Sequence, residues 1–151
     1  MDVTLSLATS LADIPPEEWD ACATGSADGD ADRDNPFVQH AFLQALEASG
    51  SATAETGWAS AHLLAHDQTG RLIGAVPAYL KSHSRGEYVF DQGWAEAYAR
   101  AGGRYYPKLQ ISIPFTPATG PRLLMRADSD QSVLRPLLAE GLKSIAQKLN
   151  T

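Results

Sequence analysis

The sequence predicts a mixed α/β domain, and three observations predict it. Apolar and polar residues alternate with a period of two over 2–9, 58–66 and 108–113, the mark of strands with one buried face. Val133, Leu134, Leu137, Leu138, Leu142, Ile145 and Leu149 fall on one helical stripe instead. Length sets the scale: 151 residues suit one domain with a single core, and 44% hydrophobic with 20% charged residues is the balance of a globular chain.

Taken in order, Val3, Leu5 and Leu7 alternate with Asp2, Thr4 and Ser6 in a first strand. Pro15 and Pro16 open a short helix over 15–23, where Glu17 and Glu18 favour the positive end of its dipole. Trp19 and Cys22, three apart, face inward. Asn35 and Pro36 read as the N-cap and first residue of a second helix with Val38, Phe42, Ala45 and Leu46 on its buried stripe, closed by Gly50. His40 falls on the opposite face and reads as a surface histidine. The run 58–66 forms one strand, with Trp58, Ser60, His62, Leu64 and His66 on a common face. Asp67 to Gly70 turn it into a hairpin whose second arm is 72–80, where Gly74 and Pro77 mark a bulge or an edge. A third short strand is expected at 87–90, then a helix from Trp94 to Ala101 ended by Gly102 and Gly103. Leu109, Ile111 and Ile113 form the buried face of a strand over 108–113. Pro114, Pro117 and Pro121 hold the next loop open, and the last helix runs from about Gln131 to Leu149.

Several functions are excluded or narrowed by composition. Residues 24–34, rich in Gly and Asp, cannot bury enough to order themselves and are expected to form a mobile acidic loop. Asp28, Asp30, Asp32 and Asp34 alternate as in a calcium loop, but Arg33 and Gln39 stand where an EF-hand needs Gly and Glu. His62 and His66 lie about 13 Å apart along a strand, too far to share a metal. No metal is therefore expected. Cys22 is the only cysteine, which excludes an internal disulfide and leaves it as a small buried hydrophobe. No apolar run approaches the ~18 residues of a membrane span, and the N-terminus has no secretory pattern, so the cytoplasm is the expected location. The net charge of −6 divides into −11 over residues 1–67 and +5 over 68–151. A basic second half attracts a phosphate-bearing donor, or it reflects scattered surface charge; no compact basic run points to duplex nucleic acid. Nucleophile elbow, Walker loop and HExxH are absent, which removes the hydrolase, NTPase and zincin readings.

The stretch from Tyr79 to Leu124 does not read as plain core. It sets His83, Glu87, Asp91, Lys108 and Arg122 among Tyr88, Trp94, Tyr98, Tyr105, Tyr106 and Phe115. A core selects apolar side chains and a solvated face selects charge without aromatics, whereas a ligand cleft mixes the two. A cleft is the expectation.

The runs NPFVQHAFLQALEASGS, KSHSRGEYVFDQGWAEAYARAGGRYYPKLQ and PFTPATGPRLL resemble the N-terminal half of the FemAB-like proteins. These are bacterial peptidoglycan biosynthesis or recognition proteins related to the GNAT acyltransferases, and the resemblance covers roughly residues 35 to 124. It implies a GNAT-like fold, a mixed and mostly antiparallel sheet flanked by helices. Because family members are more than twice this long, it also implies that 1–151 is a single N-terminal lobe without the family's second lobe. The activity implied is N-acyl or aminoacyl transfer to a cell-wall precursor, with a non-catalytic recognition module for an envelope precursor or partner chain as the alternative. Implied partners are a small-molecule or peptidoglycan-precursor acceptor, and a homodimer or the C-terminal lobe.

GNAT enzymes hold the coenzyme pyrophosphate on amides exposed by a Q/R-x-x-G-x-G/A signature where a strand meets a helix. The matching junction here, Phe90 to Ala95, has only Gly93, and the Gly102–Gly103 pair lies at a helix end whose dipole disfavours phosphate. No cofactor is expected on this chain alone; acyl-CoA or aminoacyl-tRNA is implied for a full-length protein. For acyl transfer, His83 or Asp91 can serve as base and Tyr106, Tyr105 or Tyr88 can protonate a leaving group. Lys108 or Arg122 can hold an anionic acceptor, and Trp94 and Thr119 complete the expected substrate-binding set. Each has a plainer role as well: His83 in a hydrogen-bonded turn, Asp91 as a helix cap, the tyrosines in packing.

Overall fold

A computed structural model describes residues 2–25 and 35–151. The acidic stretch 26–34, with its alternating aspartates, lies outside the described residues. The chain folds as β1 (Thr4–Ala8), α1 (Pro16–Gly25), α2 (His40–Ala48), β2 (Trp58–Ser60), β3 (His62–His66), β4 (Leu72–Val76), β5 (Tyr79–Lys81), α3 (Gln92–Arg100), β6 (Lys108–Gln110), β7 (Leu124–Met125) and α4 (Gln131–Leu149). Two antiparallel sheets result, one ordered β1-β3-β4-β7 and the other β2-β5-β6. With the helices around them this is the mixed α+β, GNAT-like architecture expected.

The larger sheet is covered on both faces. Leu64, Leu72, Ala75 and Leu124 meet α1 and α2 through Trp19, Cys22 and Leu43, while Leu63, Ala65, Ile73 and Val76 meet Leu134 and Leu138 of α4. Double burial explains why β3 and β4 are apolar almost throughout rather than alternating cleanly. Trp19 and Cys22 are fully buried, and burial pushes the Cys22 thiol up to about 12, so it packs as a hydrophobe.

The structure corrects four readings. The hairpin arms 58–66 and 72–80 are not continuous: each breaks, at Ala61 and at Pro77–Ala78, and the pieces enter different sheets. Pro77 lacks the N–H a continuous ladder needs. His40 is buried, its Nε2 2.7 Å from the Leu11 carbonyl oxygen, because a 3₁₀ turn over Pro36–Val38 precedes α2 and rotates its stripe to His40 and Leu43. Val133 is 47% exposed, and Gly141 takes its share of the buried stripe of α4, close against Leu5 and Leu63. No strand forms at 87–90, and β7 is a short strand that the proline-rich context concealed.

Both sheets meet at one carboxylate. Glu47 of α2 accepts from Ser60 Oγ at 2.8 Å and His62 Nε2 at 3.0 Å through Oε1, and from the Leu11 N–H at 2.9 Å through Oε2. Ala78 N–H donates to His62 Nδ1, which fixes the proton on Nε2 facing Glu47. Burial pushes the Glu47 carboxyl up, yet the bonds from His62, Leu11 and Ser60 more than offset it and hold it below its ordinary 4.5. A depressed carboxyl stabilises the fold above its unfolded pKa and loses that contribution as pH falls through the folded value. Glu47→Gln is expected to cost about 2 kcal/mol in urea unfolding at pH 7, the scale of a broken charged hydrogen-bond set, with the deficit narrowing below pH ~4.5.

Candidate functional site

The smaller sheet ends in a polar cluster that the core does not contain. β6 places Lys108 opposite Lys81 of β5, and the segment between β5 and β6 returns Ser84, Asp91, Tyr105 and Tyr106 to the same place. Asp91 is the common acceptor. Its Oδ2 receives Tyr105 OH at 2.9 Å, Ser84 Oγ at 3.1 Å and Lys108 Nζ, and its Oδ1 receives Tyr106 OH at 3.2 Å. The single Tyr106 O–H proton is shared with Ser84 Oγ, which lies closer, at 2.6 Å. Burial pushes the Asp91 carboxyl up, but the bonds from Lys108, Ser84 and Tyr105 outweigh it and bring it down to about 2. Burial likewise pulls the Lys108 ammonium down, and Asp91 reverses that and leaves it raised. The Tyr105 phenol is raised by burial and by its bond to Asp91. At neutral pH the cluster is therefore a carboxylate, an ammonium and a protonated phenol. Asp91 begins α3 but makes no side-chain capping bond, so its carboxylate serves the cluster and not the helix end.

Beside the cluster lies a cavity of about 420 Å³. Asp91, Lys108 and Tyr88 form one side, Trp58, Ile113 and Phe115 the apolar wall, and Gln110, Ser112, Thr116 and Arg122 the remainder. Phe115 holds φ at 58°, a left-handed conformation that costs a non-glycine residue on the order of 1 kcal/mol. Behind the wall, Lys81 is fully buried with its Nζ 3.5 Å from the centre of the Trp58 ring and 3.0 Å from Glu87 Oε1. That contact is a charge pair in which neither atom makes an aligned hydrogen bond. Burial pulls the Lys81 ammonium down and Glu87 partly restores it. Glu87 also accepts from Gln110 Nε2 at 3.2 Å.

The sequence-predicted residues divide accordingly. The structure brings Asp91, Tyr105, Tyr106 and Lys108 together and sets Tyr88 and Arg122 on the cavity beside them. His83 is not brought in: its ring packs against Gly57, where a Cβ would approach Nε2 to 2.7 Å, and its Nδ1 accepts the Arg85 N–H. That bond occupies the one lone pair of the neutral ring; partial burial and then the Arg85 charge hold the imidazole below its usual range. Trp94 is 75% exposed on α3, and the Thr119 carbonyl accepts from Asn35 Nδ2 at 3.0 Å. Sequence reasoning missed Trp58, Lys81 and Ser84. A lysine immediately after the apolar arm expected over 72–80 was the available signal for Lys81.

The charged, aromatic cavity thus lies at the margin of a mixed antiparallel domain. Comparison places it further: the chain belongs to the FemAB-like family, described as peptidoglycan biosynthesis/recognition, which matches residues 10–151. No curated protein and no solved structure matches the chain. Among the described residues no helix is long and apolar enough to cross a membrane, and no group of three or more His, Cys, Asp or Glu could hold a metal ion.

Because the Asp91 carboxyl is depressed, its bonds stabilise the fold above its ordinary 3.8 and lose that contribution as pH falls toward about 2. Asp91→Asn is expected to lose about 1–3 kcal/mol in urea unfolding at pH 7, with wild type and variant converging near pH 2.

Proposed function

We propose that this chain is the acceptor-side lobe of an N-acyl- or aminoacyltransferase that acts on a cell-wall precursor. The observation that carries the reading is the cluster of Asp91, Lys108, Tyr105 and Tyr106, whose Asp91 and Lys108 line the 420 Å³ cavity while the two phenols stand behind them. In such a transfer the acceptor amine attacks the donor carbonyl, the C–N bond forms, the C–S or C–O bond to the donor breaks, and the amine proton ends on the leaving group. Lys108, kept charged by Asp91, supplies the positive charge that stabilises the tetrahedral oxyanion. Tyr106, hydrogen-bonded to both Asp91 and Ser84, relays the proton to the leaving sulfur or oxygen. Asp91 itself, at about 2, is a weak proton acceptor and orients the others.

The donor is acyl-CoA or an aminoacyl-tRNA held outside this lobe. The start of α3 carries Asp91 and a single glycine, and these residues do not fit a pyrophosphate. That same mismatch favours the second reading, a recognition module that binds an envelope precursor without transforming it. This chain alone is expected to be inactive in transfer, so both are tested in one experiment with the full-length protein that carries the donor-holding lobe, a soluble muropeptide precursor as acceptor, and labelled acetyl-CoA or aminoacyl-tRNA as donor. Transfer should occur and fall at least ~100-fold in Lys108→Met and Tyr106→Phe, the scale of losing one oxyanion-stabilising or acid–base group. Precursor binding by calorimetry without transfer would establish the recognition module in its place.

Tyr88, Val89, Phe90, Trp94 and Tyr98 are each more than half exposed, and α3 buries none of its residues. A nine-residue helix with no buried face is marginal in water. This face is expected to pair with a second copy of the chain at micromolar concentration; Trp94→Glu should return the dimer to monomer in light scattering, and a monomeric wild type rejects the pairing.

A further inference from the structure

The cavity wall contains a cation without a counter-ion. Lys108 faces Asp91 and Lys81 faces Glu87, so each carboxylate on this cavity already has its own ammonium. Arg122 has none among the described residues. Its Nη1 donates to the carbonyls of Gly120 at 3.1 Å and Pro121 at 3.2 Å, and its Nη2 to that of Ala118 at 2.6 Å. All three acceptors are neutral backbone groups from its own loop. Nε–H has no acceptor among the described residues, which leaves an edge of the guanidinium fork unused. Burial alone acts on Arg122, pulling its pKa down with no neighbouring charge to restore it. A half-buried cation in this condition costs free energy that a bound anion recovers.

The loop is built to hold that side chain in place. Gly120 has φ 136°, and a Cβ there would come within 2.4 Å of Asn35 Nδ2, the amide that donates to Thr119 O. Asn35 in turn accepts the Phe37 N–H on Oδ1, so the start of the 3₁₀ turn before α2 pins the Arg122 loop from outside the cavity. A second observation is independent of Arg122. Trp58, also on the cavity wall, is 1% exposed and its indole N–H has no acceptor among the described residues. An unused guanidinium edge and a buried indole N–H thus border one cavity whose own carboxylates are neutralised.

The geometry points to a carboxylate as the ligand group: the cavity seats the carboxylate of an amino acid or short peptide on Arg122, with the attached side chain against Trp58 and Phe115. One surplus positive charge matches a monoanion, and the planar fork matches the two carboxylate oxygens. The inference rests on reading this cavity as the acceptor side, and it names the acceptor's class.

The test is a binding measurement on the whole chain labelled with ¹⁵N, titrated separately with N-acetylalanine, N-acetylalaninamide and inorganic phosphate. N-acetylalanine should shift the Trp58 indole and Arg122 Nε–H resonances saturably, and the amide should require at least ~10-fold higher concentration, as expected for losing a charge-assisted bond. Arg122→Lys, which keeps the charge and loses the fork, should weaken N-acetylalanine by a similar factor while leaving the amide unchanged. Equal binding of acid and amide overturns the inference, as does no saturation by either. Phosphate binding tighter than N-acetylalanine overturns the carboxylate class in favour of a phosphoryl group. The acid-to-amide comparison needs no variant, so a poorly folding Arg122→Lys does not decide it. Because no transfer is measured, carboxylate binding with failed acyl transfer would reject the enzymatic reading and keep this one.

Discussion

The Glu47 carboxylate is the constraint on which the rest of the structure depends. It is the meeting point of the β1–α1 connection, helix α2 and one strand from each sheet, β2 and β3, through Leu11, Ser60 and His62. A carboxylate largely removed from water is costly unless several donors surround it, and here the fold supplies them from two segments distant in sequence, at Leu11 and at Ser60–His62. His62 carries the consequence onward. With its two nitrogens fixed by Glu47 and Ala78, its ring packs edge-on against Trp19 at 5.7 Å and Tyr79 at 5.1 Å. Tyr79 then meets Trp58 at 5.3 Å, and Trp58 meets Phe115 at 5.3 Å. A chain of rings therefore runs from the packing of α1 to the wall of the cavity, and the site wall inherits its position from the core.

The same wall explains the buried Lys81. An isolated ammonium there would be forced neutral, but the Trp58 face and the Glu87 carboxylate both stabilise its charge. A desolvated cation–π contact of this kind contributes about 2 kcal/mol. Glu87 is consequently drawn inward from 87–90, which is why that segment runs as a bend and not as a third strand. Its backbone follows a side-chain charge, and no ladder partner competes for it.

Legibility followed the type of interaction. The ends of α4 were readable because its stripe is long and Asp130 caps it locally, accepting from the Ser132 and Val133 N–H groups. Inward packing of Trp19 and Cys22 was readable for the same reason, since spacing within one helix decides it. The break at Ala61 was not, because it depends on which strand lies alongside, a property of the assembled sheets; Pro77 marked a bulge or an edge, but not that the arm changes sheets there. His40 failed similarly: its burial comes from the Leu11 carbonyl, 29 residues away. In the site, composition alone marked 79–124, yet it could not separate His83 from Asp91. What separates them is hydrogen bonding: the His83 lone pair is spent on its own turn, while Asp91 gathers donors from Ser84, Tyr105, Tyr106 and Lys108.

Those donors do a second job. Helix α3 has no residue in the core, so its attachment comes from its ends. At its start Asp91 is bound to Lys108 and the two phenols; past its end Gly103 N–H returns to the Tyr98 carbonyl, and Tyr98 stacks edge-on against Tyr105 at 6.3 Å. Tyr105 thus contacts the helix at one face and the carboxylate through its hydroxyl. The interactions that set the charges of the cluster are the ones that hold the exposed aromatic arm, and the arm has no independent source of order. Lys108 and the phenols are therefore shared: the contacts they make to Asp91 both set the charge beside the cavity and attach α3 to the rest of the fold.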